Sequence, residues 1–190
     1  MLLLVGLGNP GSNYTNTRHN IGFKIIDAIN AHFKLSKQKP KFKGLLTTGN
    51  IDEKKIYAIK PLTFMNNSGT AIKELIDYFK IDAKDVIVFH DDMDIDFGKI
   101  KAKFGGSSAG HNGIESIDKF IGKDYSRVRI GIGHPKQKKK VNNHVLEDFK
   151  EDEEEKIKEI TENIVKQIPT LIGKKIDLFS SKVNQNLNGI

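Results

Sequence analysis

Cysteine is absent from the 190 residues, which excludes a disulfide framework, a thiol nucleophile and a thiolate metal site. Also absent is any run approaching the roughly 20 apolar residues that a membrane span needs. The apolar opening Leu2-Leu3-Leu4-Val5 has no basic flank, is far shorter than a signal core and runs into Gly-Asn-Pro-Gly. It reads as a buried strand rather than a targeting segment, and the expected location is cytoplasmic. No internal repeat is visible, and the length suits one domain, residues 1–190, able to bury a continuous core. Acidic residues are in deficit, 24 Asp+Glu against 31 Lys+Arg, for a formal charge of +7. Such an excess favours a polyanionic partner. The span 99–140 concentrates it: Lys99, Lys101, Lys103, Lys119, Lys123, Arg127, Arg129, Lys136, Lys138, Lys139 and Lys140 face only Glu115, Asp118 and Asp124. That is a candidate basic patch, with solvated surface lysines as the alternative.

What the chain contains is helical and strand periodicity in alternation. After the first strand comes a turn-rich stretch, Asn9 to Thr17, then Ile21, Ile25, Ile26, Ile29 and Phe33 at helical spacing. Residues 45–60 predict a hairpin turning near Asn50 to Lys54, and Ser68 could cap a helix carrying Ala71, Ile72, Leu75, Ile76 and Phe79 inward. Val86 to Phe89 reads as a strand covered on both faces; Lys99 to Phe104 alternates lysine with apolar residues, as a strand with one wet face does. Ile114, Ile117, Phe120 and Ile121 mark a helix, Val128 to Ile132 a strand, and Ile157, Ile160, Ile164 and Ile168 a long late helix opened by the acidic run Glu151 to Glu155. The tail from Ser180 is polar and expected to fray. The predicted fold class is α/β, a single-domain α/β/α sandwich around a mixed, mostly parallel twisted sheet.

Three motifs suggest chemistry that their surroundings do not support. Gly6-Leu-Gly8-Asn-Pro-Gly11 fits the dinucleotide fingerprint, but no helix begins at the glycines and Asp27 falls within a helical pattern instead of at a strand end. Gly106-Ser-Ser108-Ala-Gly110 fits a nucleophile elbow with Asp and His downstream, yet its strand exposes a lysine at every second position, where such hydrolases have a buried central one. His90-Asp91-Asp92-Met-Asp94-Ile-Asp96 resembles a hard-metal cluster, but counting from Asp92 a calcium loop would meet Phe97 and Lys103 where it needs Gly and Glu. What remains is a carboxylate cluster at the end of a buried strand, the expected place for a site in an open α/β sheet, or a set of turn-capping Asp residues.

His19 sits at the mouth of a helix after a glycine-rich turn, flanked by Arg18 and Asn20. A lone histidine is often only structural. Should Asp91 meet its ring, the carboxylate would fix the tautomer and leave the other nitrogen as a general base for water, contributing a factor of about 10² to 10⁴. An activated ester is within reach of such a base.

The segments Val5 to Gly11, Tyr14 to Gly22 with Thr-Arg-His19-Asn-Ile-Gly, Pro61 to Gly69 with Phe64-Met65-Asn66, the His90-Asp91 pair with Asp94, Gly105 to Gly113 with His111-Asn112, and Arg129 to Pro135 together resemble the bacterial-type peptidyl-tRNA hydrolase family in order and spacing, over residues 2 to about 150. The resemblance implies hydrolysis of the ester between peptide and tRNA, with His19 as base, Asp91 as its partner and Asn9 separating acylated from free aminoacyl groups. It implies substrate contacts from Tyr14, Phe64, Met65, Asn66 and Asn112, Tyr14 and Phe64 at the tRNA 3′ end. His111 is placed with these, a structural role being the alternative. Lys103 and Arg129 would engage tRNA phosphates. No metal or cofactor is implied; the partner is tRNA, with no membrane, and the family suggests a monomer. Ser107-Ser108-Ala109 stands where members often carry more Gly or a His, and Lys136 to Lys140 where they have a mobile segment.

Overall fold

A computed structural model describes residues 1–135 and 141–187; the basic run Lys136 to Lys140 lies outside them. Seven strands form one sheet: β1 (Leu2–Gly6), β2 (Lys39–Lys41), β3 (Gly44–Ile51), β4 (Lys54–Pro61), β5 (Val86–Asp92), β6 (Ile100–Phe104) and β7 (Ser126–Gly131), in the order β2-β3-β4-β1-β5-β7-β6. The pairs β4–β1, β1–β5 and β5–β7 are parallel and the outer pairs antiparallel, so β3 and β6 run against the rest of a mixed sheet. The expected hairpin is β3 and β4. Its turn falls at Asp52 and Glu53, both at positive φ (45° and 63°), as a two-residue turn matched to strand twist requires.

Among the described residues six α-helices accompany the sheet: α1 (Ile21–His32), α2 (Ser68–Phe79), α3 (Asn112–Ile121), α4 (Val141–His144), α5 (Glu151–Ile172) and α6 (Ile176–Leu187). β5 has the double coverage its apolar run predicts. Ile87 and Phe89 pack with Ile25 of α1, Ile160 of α5 and Phe179 of α6; Val86 and Val88 pack with Ile72 of α2 and Ile117 of α3. That is the α/β/α sandwich, its period-2 strands feeding opposite layers.

Local expectation and structure part at three places. Ser68 does not cap α2 through an accepting hydroxyl; its Oγ donates to the Met65 carbonyl at 2.9 Å from inside the first turn. Phe104, on the apolar side of the alternation, is exposed at the end of edge strand β6. The tail is not frayed between residues 180 and 187: α6 buries Phe179, Val183 and Leu187. Asn184 also clasps the outward backbone of β6, accepting from Ile100 N–H at 2.9 Å and donating to its carbonyl at 2.8 Å, while the Ser180 hydroxyl accepts from Ala102 N–H at 2.8 Å. The polar residues that suggested fraying serve an open sheet edge that would otherwise stay unpaired.

Candidate active site

The carboxyl ends of β1 and β5 converge on the segment entering α1. A Cβ on Gly6 would lie 2.2 Å from the Gly22 carbonyl oxygen, and one on Gly22 2.3 Å from Leu7 N and 2.4 Å from Phe89 O. Gly6, from the dinucleotide-like motif, and Gly22 therefore let α1 sit directly on β1 and β5. This docking carries His19, one turn before α1, to the end of β5. There its Nδ1 lies 2.8 Å from Asp91 Oδ1, with Asp91 1 % and His19 6 % exposed.

His111, the residue before α3, places Nε2 3.0 Å from the same Asp91 oxygen. Its Nδ1 accepts from the backbone N–H groups of Gly113 (3.1 Å) and Ile114 (3.3 Å), capping α3. The network thus assigns both tautomers: His19 donates through Nδ1 and keeps a lone pair on Nε2, and His111 donates through Nε2. Burial by itself would raise the Asp91 carboxyl, but His19 and His111, by charge and hydrogen bonding, hold it well below the usual carboxylate range. Beneath them His90 is buried, its Nδ1–H donating to the Asp91 carbonyl at 2.8 Å and its Nε2 without a partner. Burial, then the neighbouring His111, hold His90 well below its ordinary pKa. His19, Asp91, His111 and Asn112 line one cleft of about 370 Å³ with Met93, Asp94, Ser108 and Val145.

The acidic cluster separates into independent pairs. Asp92 takes Arg129 Nε at 2.7 Å and its own turn's Asp94 N–H; Asp94 takes His134 Nε2 at 2.9 Å. His134 is exposed in that pair. Donor atoms of His19, Asp91 and His111 lie within 4.8 Å of one another, close enough to bridge with an ion. Both imidazole N–H groups already share one carboxylate oxygen, however, and the second nitrogen of His111 caps α3, so an ion would compete with the helix terminus for its ligand. Ser108 lines the cleft with no histidine hydrogen-bonded to its hydroxyl among the described residues, and its strand, β6, is an edge strand.

A family model described as peptidyl-tRNA hydrolase matches residues 3–189. The chain belongs to the peptidyl-tRNA hydrolase family. It is 73% identical over 184 residues to the peptidyl-tRNA hydrolase of Pelagibacter ubique (strain HTCC1062), covering 97% of this chain and 99% of that one. It is 46% identical over 185 residues to that of Bartonella quintana (strain Toulouse), at 97% and 96% coverage. The crystal structure of peptidyl-tRNA hydrolase from Acinetobacter baumannii superposes with a TM-score of 0.90 at 34% identity, over 97% of this chain and 94% of that one.

The other residues singled out for this peptidyl-tRNA hydrolase family member fall around the cleft in different ways. Asn9 is clasped by Asn20: its N–H donates to Asn20 Oδ1 and its carbonyl accepts from Asn20 Nδ2, each at 2.9 Å. Asn9 Oδ1 in turn accepts from Met65 N–H at 2.8 Å. Asn9 borders a neighbouring hollow with Pro10, Phe23 and Leu62, not the cleft of His19. Met65 is buried in the core beneath Gly113, where an added Cβ would come 2.5 Å from its sulfur. Phe64 is 53 % exposed, at φ 54° and ψ 158°, and meets Tyr14 edge-on at 6.4 Å between ring centroids. Such a backbone costs on the order of 1–3 kcal/mol for a side-chain-bearing residue. Asn66 is exposed in the following turn. Lys103 and Arg129 share a second, basic hollow with Ser180 and Asn184; burial and the guanidinium groups of Arg129 and Arg127 lower the Lys103 pKa.

Sequence reasoning missed the supports. Arg18 is buried, donating to the carbonyls of Glu147 (3.1 Å) and Asp148 (2.5 Å) and to Glu153 at 2.6 Å. With His19 N–H on the Val145 carbonyl at 2.8 Å, it pins the stretch before α5 against the cleft. Buried Arg127 holds the Ser107 carbonyl at 2.8 Å and Asp118 at 2.7 Å, fixing the glycine-rich turn. A charged residue amid apolar ones, Arg127 inside a strand, was the one available signal.

Proposed function

We propose that the chain hydrolyses the ester joining peptide to tRNA in peptidyl-tRNA through water activated at His19, releasing free tRNA and peptide without a catalytic metal. The observation that carries this reading is the 2.8 Å His19–Asp91 hydrogen bond, which leaves Nε2 as the basic nitrogen. Nε2 takes a proton from water as the oxygen bonds to the ester carbonyl carbon. Asp91 stays ionised and stabilises the imidazolium. The tetrahedral oxyanion takes hydrogen bonds from the Asn66 and Asn112 amides, neutral donors suited to that charge. On collapse the bond to the tRNA 3′ oxygen breaks, and that oxygen takes the proton back from His19.

Asn9 gives selectivity. Because its Oδ1 is held by Met65 N–H, its amide is oriented with Nδ2 free to donate to the acyl carbonyl that free aminoacyl-tRNA lacks. A site built around such a bond can reject the competitor by about 10⁴. Tyr14 and Phe64 stack on the 3′-terminal bases, and Lys103 and Arg129 take phosphates. The enzyme acts as a cytoplasmic monomer.

Single-turnover cleavage of N-acetylated and unacetylated aminoacyl-tRNA by wild type and His19→Ala tests the reading. Fast cleavage of the acetylated ester only, reduced at least a thousandfold in the variant, is expected; undiminished cleavage in the variant overturns it. Ser108→Ala should retain activity, and a chelator should not abolish it. Activity lost to chelation and restored by Mg, Mn or Zn would remove the metal-free part.

A further inference from the structure

We infer that the hollow beside Asn9 is a subsite for the penultimate residue of the peptide and takes an apolar side chain there. This rests on the proposed reaction, which sets the ester at His19 and the acyl carbonyl at Asn9. Strand order puts the parts of such a substrate in sequence. Along the sheet come β6 and β7 with Lys103 and Arg129, β5 with Asp91 and His19 beside it, and β1 with Asn9 just beyond its end. Next come β4 and β3, with Lys60, Leu62 and Leu45. Neighbouring strands lie about 4.8 Å apart, and an extended chain advances about 3.3–3.6 Å per residue. From an ester over the end of β5, the acyl carbonyl one residue on comes to β1. The side chain of the penultimate residue then comes to β4 and β3. Phosphates held at β6 and β7 leave the peptide this direction.

The hollow has the make-up of a side-chain pocket. Its volume is about 470 Å³, within the range of small-molecule sites. Leu45 and Lys60 are cross-strand partners and so share one face of the sheet; Phe23 and Asp27, one turn apart on α1, line the hollow with them. The Phe23 ring has room there because residue 8 is glycine: a Cβ on Gly8 would come 2.7 Å from its Cγ. Pro10 and Leu62 complete a mainly apolar wall. The one buried charge on it is already paired. Lys60, 9 % exposed, meets Asp27 Oδ1 at 2.5 Å, and Gln38 Nε2 donates to the same oxygen at 2.6 Å. Lys24, also on the lining, reaches Asn16 at 3.4 Å and Glu154 at 4.0 Å. A charged side chain entering the hollow would lose water without gaining an uncommitted partner, whereas an apolar one would cover Phe23, Leu45 and the 40 % exposed Leu62. Tyr14 and Phe64 do not line the hollow, which leaves them to the 3′ bases.

The test compares single-turnover kcat/KM on N-acetyl-dipeptidyl-tRNAs of equal length whose penultimate residue is Leu, Gly or Asp. Wild type should prefer Leu over Gly by roughly tenfold, and Gly over Asp. Leu62→Lys should narrow the Leu-to-Gly ratio and raise the Asp-to-Leu ratio by roughly tenfold, a reversal that a general loss of structure does not produce. Ser12→Trp, at an exposed position on the same lining, should erase the Leu-to-Gly preference by filling the hollow. Equal rates on all three esters in wild type, or ratios that both variants leave in place, overturn the inference. A second readout needs no cleavage: N-acetyl-Leu-Ala added to ¹⁵N-labelled protein should shift the amide signals of Phe23, Leu45 and Leu62. Shifts confined to Met93, Ser108 and Val145, or none at millimolar peptide, overturn the subsite as well. Should the peptide shift the hollow while wild type cleaves none of the three esters, the proposed reaction falls and the subsite stands.

Discussion

At Asp91 a carboxylate that is 1 % exposed accepts from two rings through one oxygen, an arrangement that favours the ionised form. Asp91→Asn preserves shape but supplies no charge to the His19 imidazolium, so kcat/KM should fall by about 10² to 10⁴ with circular dichroism unchanged; a loss under tenfold would disprove the partnership. The same group shapes stability. Its folded pKa is depressed, so the stability it contributes is present above the ordinary carboxylate value near 4 and is lost as pH falls below it. His90 has the same sign at higher pH: folded His90 refuses a proton that the unfolded chain accepts below about 6.5, so stability declines as pH falls through that value, at up to about 1.4 kcal/mol per pH unit. Urea denaturation of wild type and His90→Gln at pH 8, 7, 6 and 5 should show the two curves diverging at pH 8 and converging toward pH 5. A constant difference would mean His90 titrates normally in the fold.

Two elements do more than their local sequence suggests. α5 begins where Glu153 accepts from Lys150 N–H at 2.8 Å and from Arg18, tying the acidic opening turn to the segment of His19. Arg18→Met keeps most of the stem but leaves Glu153 and two carbonyls short of donors, so urea unfolding should report a loss of about 2–4 kcal/mol; under 0.5 kcal/mol would make the clamp a surface contact. α6 seals β6 through Asn184 and Ser180 over a fully buried Phe179. Phe179→Ala should cost about 3–5 kcal/mol, whereas a frayed tail would register no change in thermal or urea unfolding.

At the scale of the whole molecule, two of the charges behind the formal +7 meet at one edge of the sheet. Lys103 on β6 and Arg129 on β7 share a hollow at that edge, whereas Asp91 lies at the carboxyl end of central strand β5 with His19 beside it, so on the proposed function phosphates held at the edge would leave the 3′ end to reach inward. Binding of tRNA should weaken linearly in log–log plots against salt, and the double substitution Lys103→Ala with Arg129→Ala should reduce that slope by about 1.4–1.8; an unchanged slope would place the phosphates elsewhere. Much of this was legible beforehand, because helical period, strand alternation and turn residues are short-range consequences of side-chain geometry: α1, α5, the β3–β4 hairpin and the doubly covered β5 all follow from spacing. Within the site, His19 and Asp91 could be named from their places at a helix mouth and a strand end. Their meeting could not be derived from spacing, since 72 residues separate them. The sequence by itself determined most of the elements, though not β2, α4 or α6, together with the layers and the chemical groups on offer. Only the tertiary structure decided that His111 spends one nitrogen on α3, that Asn20 clasps Asn9, that Arg18 clamps α5 and that the polar tail closes β6. Each is a hydrogen bond whose partners are brought together by packing rather than by periodicity, and no local pattern records it.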